Sequence, residues 1–330
     1  MSLFVGANNA GKTSVLEAIG LVGRPGDPGQ WVQTATNRDA SGPVVDGIWS
    51  LFPGSTALTL EGREETSAAI EIAAELRGRR RALQAIAQAF VEEWTGIDPS
   101  GTEAQPEALV RVNAEVHVED GKHIRHALEF FSKQRRINMP PSAPPIRVFT
   151  ITPYTHRSTQ QLIVHLSHAI DEGVKAKSIE LLRMFDPDVS DVVISRPFGR
   201  DAIRVMHEKK GVVDLATFGD GMRRAFAMSV ALTRASGGLL LIDEIESTIH
   251  ARALGTVLPW LVRAAAEADV QIVTTTHSLE AIDAVIAALA KEANETVVAF
   301  HLKRTEAGHQ CRRYDLEGLR DFREEGLDIR

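Results

Sequence analysis

Apolar and polar positions change period several times along this chain, and each change predicts an element. "SLFV", residues 2–5, is a short apolar run suited to a strand, and "KTSVLEAIGLV", residues 12–22, continues with helical spacing. Residues 21–56 are rich in Gly, Pro, Asp and Asn and read as a loop around the apolar "GIWSLF". "TALTLEGR", "SAAIEIAAEL" and "ALVRVNAEVHVED" followed by "GKHIRHALEFF" contain period-two stretches, which predicts an antiparallel lobe with a hairpin turn at "DGK", 120–122. Between them "RRRALQAIAQAFVEEW", residues 79–94, reads as a helix with Leu83, Ile86, Phe90 and Trp94 on one core-facing stripe. "MPPSAPP", 139–145, reads as a stiff connector into the strand "IRVFTIT".

The second half alternates strands and helices. "LATFGDGMRRAFAMSVALTRA", 215–235, is helical beyond its glycines, with Phe226, Val230 and Leu232 apolar. Leu239 to Ile242 is a continuous apolar run, the pattern of a strand buried on both faces. "VQIVTTT", 270–276, is a second such strand with a helix after it. No internal repeat is visible, and no stretch sustains the heptads of a long coiled coil.

Composition narrows the class. At 330 residues, 44% hydrophobic and 25% charged, the chain can bury a sizeable core. A net charge of −7 argues against broad affinity for nucleic acid or anionic membranes. Local basic runs, Arg77 with Arg79, Arg80 and Arg81, and Lys133 with Arg135 and Arg136, are still candidate contacts for a nucleic-acid backbone. The single cysteine, Cys311, forms no internal disulfide, which suits a cytoplasmic protein. No apolar run reaches the roughly 18 residues of a membrane span, and no signal peptide opens the chain.

The chemistry is concentrated in four short stretches. Residues 6–13, "GANNAGKT", match G-x-x-x-x-G-K-[ST] between a strand and a helix. Gly6 and Gly11 let successive N–H groups turn inward towards phosphate oxygens, Lys12 reaches the β- and γ-phosphates, and Thr13 offers Mg²⁺ a hydroxyl. Asp243 and Glu244 end a buried strand, where ligands bind in open α/β sheets. Asp243 is the candidate Mg²⁺ partner, and Glu244 the residue that orients and polarises the attacking water. Thr217, Gly219 and Gly221 make a second anion site at a helix start; taken alone they also fit an ordinary helix start capped by Asp220. His277, at the end of the second buried strand, is placed to donate to a γ-phosphate.

This order resembles the ABC-type ATPase head of SMC, RecF and OLD-family proteins, and most closely the AAA-type ATPases related to OLD. The motifs that carry it are "GANNAGKTS", "FGDGMRR", "LLLIDEIESTIH", "VTTTHSLEAID" and "EEGLDIR". The resemblance spans nearly the whole chain and is loose over residues 55–140. It implies an α/β P-loop NTPase fold with a mostly parallel central sheet, plus an antiparallel β lobe and a helical insertion. Residues 1–330 are then one ATPase domain: 1–56 the phosphate loop and following segment, 57–140 the antiparallel and helical lobe, and 146–330 the signature, acidic-strand and histidine lobe. Gly6, Asn8, Asn9, Ala10, Gly11, Lys12, Thr13 and Ser14 would form the ATP loop, and Thr13 and Asp243 the Mg²⁺ site. Glu244 and His277 would be catalytic. Thr217, Gly219 and Gly221 would clamp the γ-phosphate held by a second copy, and Glu246 to His250 would meet their counterpart across that dimer.

The partners implied are an ATP-dependent homodimer and a separate effector in DNA-linked work or phage defence. Nucleic acid stays open, and no membrane is expected. Two departures stand out. Almost nothing precedes the loop where the family places a strand pair that frames the base, which predicts weak discrimination between ATP and GTP. The chain also stops about 50 residues after His277, leaving no room for the metal-binding Toprim nuclease domain of OLD-family nucleases. A nucleotide-gated switch that hydrolyses little is the alternative; the intact Glu244 leans against it. A GTPase or metabolic kinase fits poorly, because no N-K-x-D guanine reader and no arginine-rich lid is present.

Overall fold

The computed structural model describes residues 1–38, 42–53, 66–76, 78–92, 107–118, 121–132, 146–289, 297–306 and 308–325. In chain order the first elements are β1 (Ser2–Val5), α1 (Lys12–Gly23), α2 (Pro28–Arg38) and α3 (Val44–Trp49). Four long strands follow: β2 (Thr66–Leu76), β3 (Arg79–Glu92), β4 (Glu107–Val118) and β5 (His123–Phe131). Next come β6 (Val148–Ile151), α4 (Thr159–Asp171), α5 (Lys175–Arg183), β7 (Val189–Ser195), β8 (Ala202–His207) and β9 (Gly211–Asp214). Then α6 (Asp220–Arg234), β10 (Leu239–Ile242), α7 (Ala251–Glu267), β11 (Gln271–Thr276) and α8 (Leu279–Leu289) alternate. The last are β12 (Val298–Thr305), β13 (Gly308–Asp315) and α9 (Leu316–Glu324). Two compact bodies share this chain, Met1–Leu16 with Arg147–Arg330, and Glu17–Ile146.

The first body is built on a six-stranded sheet in the order β13-β12-β1-β11-β10-β6, parallel except for β13. All four residues of β10 are fully buried, as its unbroken apolar run requires. Register places Val5 opposite Thr276, and Ile242 opposite Thr274 and Ile151, so β1, β6, β10 and β11 end along one edge. The segments that follow them therefore emerge side by side, where an open α/β sheet presents its ligand site. Helix α6 is buried from Arg224 to Thr233 without a break, so it lies inside the core rather than on it. Phe226, Trp260 and Leu261 belong to the same apolar cluster as Leu3, Val5 and Ile242. A three-stranded antiparallel sheet, β7-β8-β9, completes this body. Among the described residues no helix is long and apolar enough to cross a membrane.

The second body holds the antiparallel sheet β2-β3-β4-β5, as the period-two stretches predict. Gly121, at a φ of +79°, turns β4 into β5, and Val118 and Lys122 close the hairpin with a 3.0 Å bond.

Two expectations fail here. Residues 79–92 form strand β3, not a helix, paired along their length with β2 and β4. Leu83 is buried and Ile86 is 51% exposed, so the supposed stripe is split between opposite faces. The inner face of β3 continues as Ala85, Ala87 and Ala89, whose small side chains hide the alternation in the sequence. Trp94 lies outside the described residues, as do 54–65, 133–145 and the ending 326–330. Residues 21–56 are not a loop either, since α2 and α3 occupy much of the segment. Asp27 accepts from Gly29 N–H at 2.8 Å and Pro28 opens α2, both helix-start signals. Trp31 and Phe52, both buried, stack at 6.1 Å and give the segment a core of its own.

Candidate nucleotide-binding site

The phosphate loop leaves β1 at Gly6, whose φ of +147° is open only to glycine. A Cβ there would also run into the Leu302 carbonyl of β12. Asn9 at φ +64° and Gly11 at +91° complete the curl, and α1 starts at Lys12. Ala10 is buried while Asn8, Asn9, Thr13 and Ser14 are exposed, so the loop is anchored on one side and open on the other. The Lys12 ammonium donates to the Gly6 and Ala7 carbonyls at 2.7 and 2.8 Å. Burial lowers its pKa, against the pull of Asp243, Glu244 and Glu246.

Asp243 lies beyond the end of β10. Its carboxylate accepts from Thr13 Oγ1 at 3.2 and 3.1 Å and from Thr275 Oγ1 at 2.6 Å. Thr275 also accepts from the Glu244 N–H at 2.8 Å, so one hydroxyl of β11 orients both members of the acidic pair. Glu244 has a φ of +48°, a left-handed conformation that a non-glycine residue holds only when its surroundings impose it. His277 N–H donates to Glu246 Oε1 at 3.1 Å. The His277 ring nitrogen Nδ1 lies 3.3 Å from Glu246 and 3.9 Å from Glu244 and makes no hydrogen bond among the described residues.

The turn at Glu244 is held by a residue that no sequence motif singles out. Arg224, fully buried in α6, donates to the carbonyls of Thr152, Asp243 and Glu244 at 2.7, 2.7 and 2.8 Å. Burial lowers its pKa to about 10, with Glu244, Glu246 and Asp243 pulling the other way, so the guanidinium stays charged near neutrality. It ties the glycine-bearing helix, the end of β6 and the acidic strand together. The sequence holds one signal: the second arginine of Arg223-Arg224 opens the largely apolar run Ala225–Leu232 and, once buried there, must find acceptors.

Thr217, Gly219 and Gly221 sit where α6 begins. Gly219, not Asp220, is the residue before the helix, and Asp220 instead pairs with Arg157 and Arg223. A Cβ on Gly219 would meet nothing within 4 Å, while one on Gly221 would come 3.0 Å from the Thr248 carbonyl. The turn Glu246–His250 therefore packs on Gly221 through Thr248 and leaves Gly219 open. Of the basic candidates, Arg81 is buried, which removes it from any nucleic-acid surface, and Arg77, Lys133, Arg135 and Arg136 lie outside the described residues.

A phosphate loop, an acidic pair and a histidine on one edge of a parallel sheet define a P-loop nucleoside triphosphatase. The family model described as "AAA domain, putative AbiEii toxin, Type IV TA system" matches residues 1–283, and the chain belongs to this AAA family. "Uncharacterized protein MJECL11" of Methanocaldococcus jannaschii is 29% identical over 113 residues, 34% of this chain and 98% of its own length. An SMC head bound to the C-terminal winged-helix domain of ScpA aligns over 96% of this chain and 91% of its own, at 11% identity and a TM-score of 0.47. A Pyrococcus furiosus Smc head with an extended coiled coil aligns over 98% and 92%, at 12% identity and 0.43. The ATPase class rests on the family and the site.

Proposed function

We propose that this chain hydrolyses ATP and acts as a head that closes on a second copy while ATP is bound, driving a separate partner. The observation that carries the reading is the meeting of Thr13 with Asp243, 230 residues apart in sequence, beside Glu244 and His277. Gly6 to Ser14 would wrap the phosphates, and Lys12 would exchange its loop carbonyls for phosphate oxygens. A hydroxyl and a carboxylate are hard oxygen donors that suit Mg²⁺, which would neutralise charge on the β- and γ-phosphates. Glu244 would orient the attacking water and draw its proton, with its backbone fixed by Arg224 and Thr275. His277, carried on Glu246, would donate to the γ-phosphate.

The open start of α6 supports the dimer. The positive end of a helix at Thr217, Gly219 and Gly221 would receive the γ-phosphate held by the other copy. The family description names a Type IV TA system, which supports a second component working with this chain, in defence or DNA-linked work. A cytoplasmic setting accords with the single cysteine. Size-exclusion chromatography with light scattering tests the closure. Glu244→Gln should elute as a dimer with ATP and Mg²⁺, and Gly221→Asp should stay monomeric. Equal masses for both variants with and without ATP would refute it.

A further inference from the structure

Among the described residues, two groups of carboxylates and imidazoles share no residue with the nucleotide site, and they differ in what their nitrogens are doing. In the first, His207 Nδ1 accepts from the N–H groups of Lys209 and Lys210 at 3.1 and 3.2 Å, and Nε2 bonds Asp186 at 3.1 Å. Lys209 pairs with Asp188 and Lys210 with Asp186. Both ring nitrogens are engaged, so the His207 imidazole holds a turn and has no free lone pair to give a metal ion.

The second group is on the β4–β5 hairpin. Glu115 and His117 are two apart on β4 and face the same side; register sets His117 opposite His123 and Glu115 opposite Arg125. The two imidazoles meet edge to face at 4.2 Å. Glu115 Oε1 lies 3.5 Å from His123 Nδ1 and 3.8 Å from His117 Nε2, and the three ligand atoms lie within 4.8 Å of one another. Those separations are long for hydrogen bonds, which prefer about 2.7–3.2 Å. They are close to the edge of a tetrahedron whose corners sit about 2.0–2.1 Å from a zinc ion, roughly 3.3–3.4 Å.

We propose that Glu115, His117 and His123 bind a divalent transition-metal ion of the zinc class, bridging β4 and β5 beside their turn. Two imidazoles and one carboxylate suit Zn²⁺, Ni²⁺ or Cu²⁺ better than Mg²⁺ or Ca²⁺, which take oxygen donors. The ion cross-links neighbouring strands next to Gly121, so its work is to fix the end of the hairpin. Arg125 is the built-in competitor. Its Nε is 3.2 Å from Glu115 Oε1, and at 81% exposed its side chain is free to swing aside when an ion takes the carboxylate. The site shares no residue with the nucleotide loop or the acidic pair.

The test is calorimetric titration of Zn²⁺ into the metal-stripped full chain, without nucleotide or Mg²⁺. Wild type should bind one equivalent more than His117→Ala/His123→Ala, whose residual binding measures every other site. Glu115→Gln, which keeps both histidines and the side-chain shape, should weaken the added site by more than about tenfold, the lower end of what losing even an outer-shell partner costs. Arg125→Ala should tighten it severalfold. Circular dichroism confirms that each variant is folded. Zinc stoichiometry and affinity unchanged in both Glu115→Gln and the double histidine variant would overturn the proposal, as would weaker binding by Arg125→Ala.

Discussion

The edge formed by β1, β10 and β11 and the sheet β2–β5 use polar residues in opposite ways. Along the edge, β10 and β11 are buried on both faces and carry their polar groups towards and just beyond their ends, and those groups are locked: Thr274 bonds the Ile242 carbonyl, and Thr275 bonds Asp243 and supports Glu244. In the four-stranded sheet buried and exposed residues alternate one by one, and charges meet across strands, as Arg111 does with Glu129. The edge thus gathers its chemistry at consecutive positions, while the sheet distributes it by register. A substitution should therefore act over a distance in the first region and stay local in the second.

Arg224→Met is the severest way to break the first half of that comparison. The side chain is replaced by one of similar length, yet the carbonyls of Thr152, Asp243 and Glu244 lose a shared donor. At about 1–3 kcal/mol for an unsatisfied buried group, partly offset because a buried charge is also removed, the loss should be about 4 kcal/mol. Chemical denaturation measures it; a loss below about 1 kcal/mol would show that Arg224 does not hold the edge together.

Paired substitutions in β3 sharpen the second half. Leu83→Ala, at a fully buried position, should destabilise by about 3 kcal/mol, and Ile86→Ala, half exposed, by less than about 0.5. Equal losses would restore the helical stripe that the sequence suggests and the strand denies.

The smallest effect is one of pH. Burial, then Arg234 and His168, lower the pKa of His165 from 6.5 to about 4. The unfolded chain takes up that proton near pH 6.5 and the folded chain only near 4, so the folded state binds fewer protons in between. Stability from this group is full above about pH 6.5 and is lost as pH falls towards about 4. The amount is about 2 kcal/mol, after allowance for the partial exposure of the ring. His165→Gln should flatten the pH dependence of the melting temperature over that window; an unchanged slope would show that His165 does not titrate there.

The difference between the regions also explains what was legible beforehand. The loop at 6–13, the acid pair at 243–244 and the histidine at 277 are contiguous motifs at the ends of apolar runs, so linear spacing exposes them. Arg224 acts through backbone carbonyls, which have no letter in the sequence. In β3, Leu83 and Ile86 are three apart with alanine and glutamine between and around them, and that spacing fits a helix as well as a strand. Only the pairing of β2 with β3 and β3 with β4 decides it. Asp27 and Pro28 fit a loop as well as a helix start, and in the fold they start α2. Glu115, His117 and His123 are brought together by the β4–β5 register, beyond the reach of any single-strand pattern.

Phosphate release from bound ATP tests most directly the claim that this edge performs the reaction. Glu244→Gln preserves shape and the backbone bonds to Arg224 and Thr275, and it removes the carboxylate that would activate water. Single-turnover rates should fall about 10²–10⁴-fold while ATP affinity stays within about threefold of wild type. A Glu244→Gln protein that releases phosphate at the wild-type rate would contradict the account.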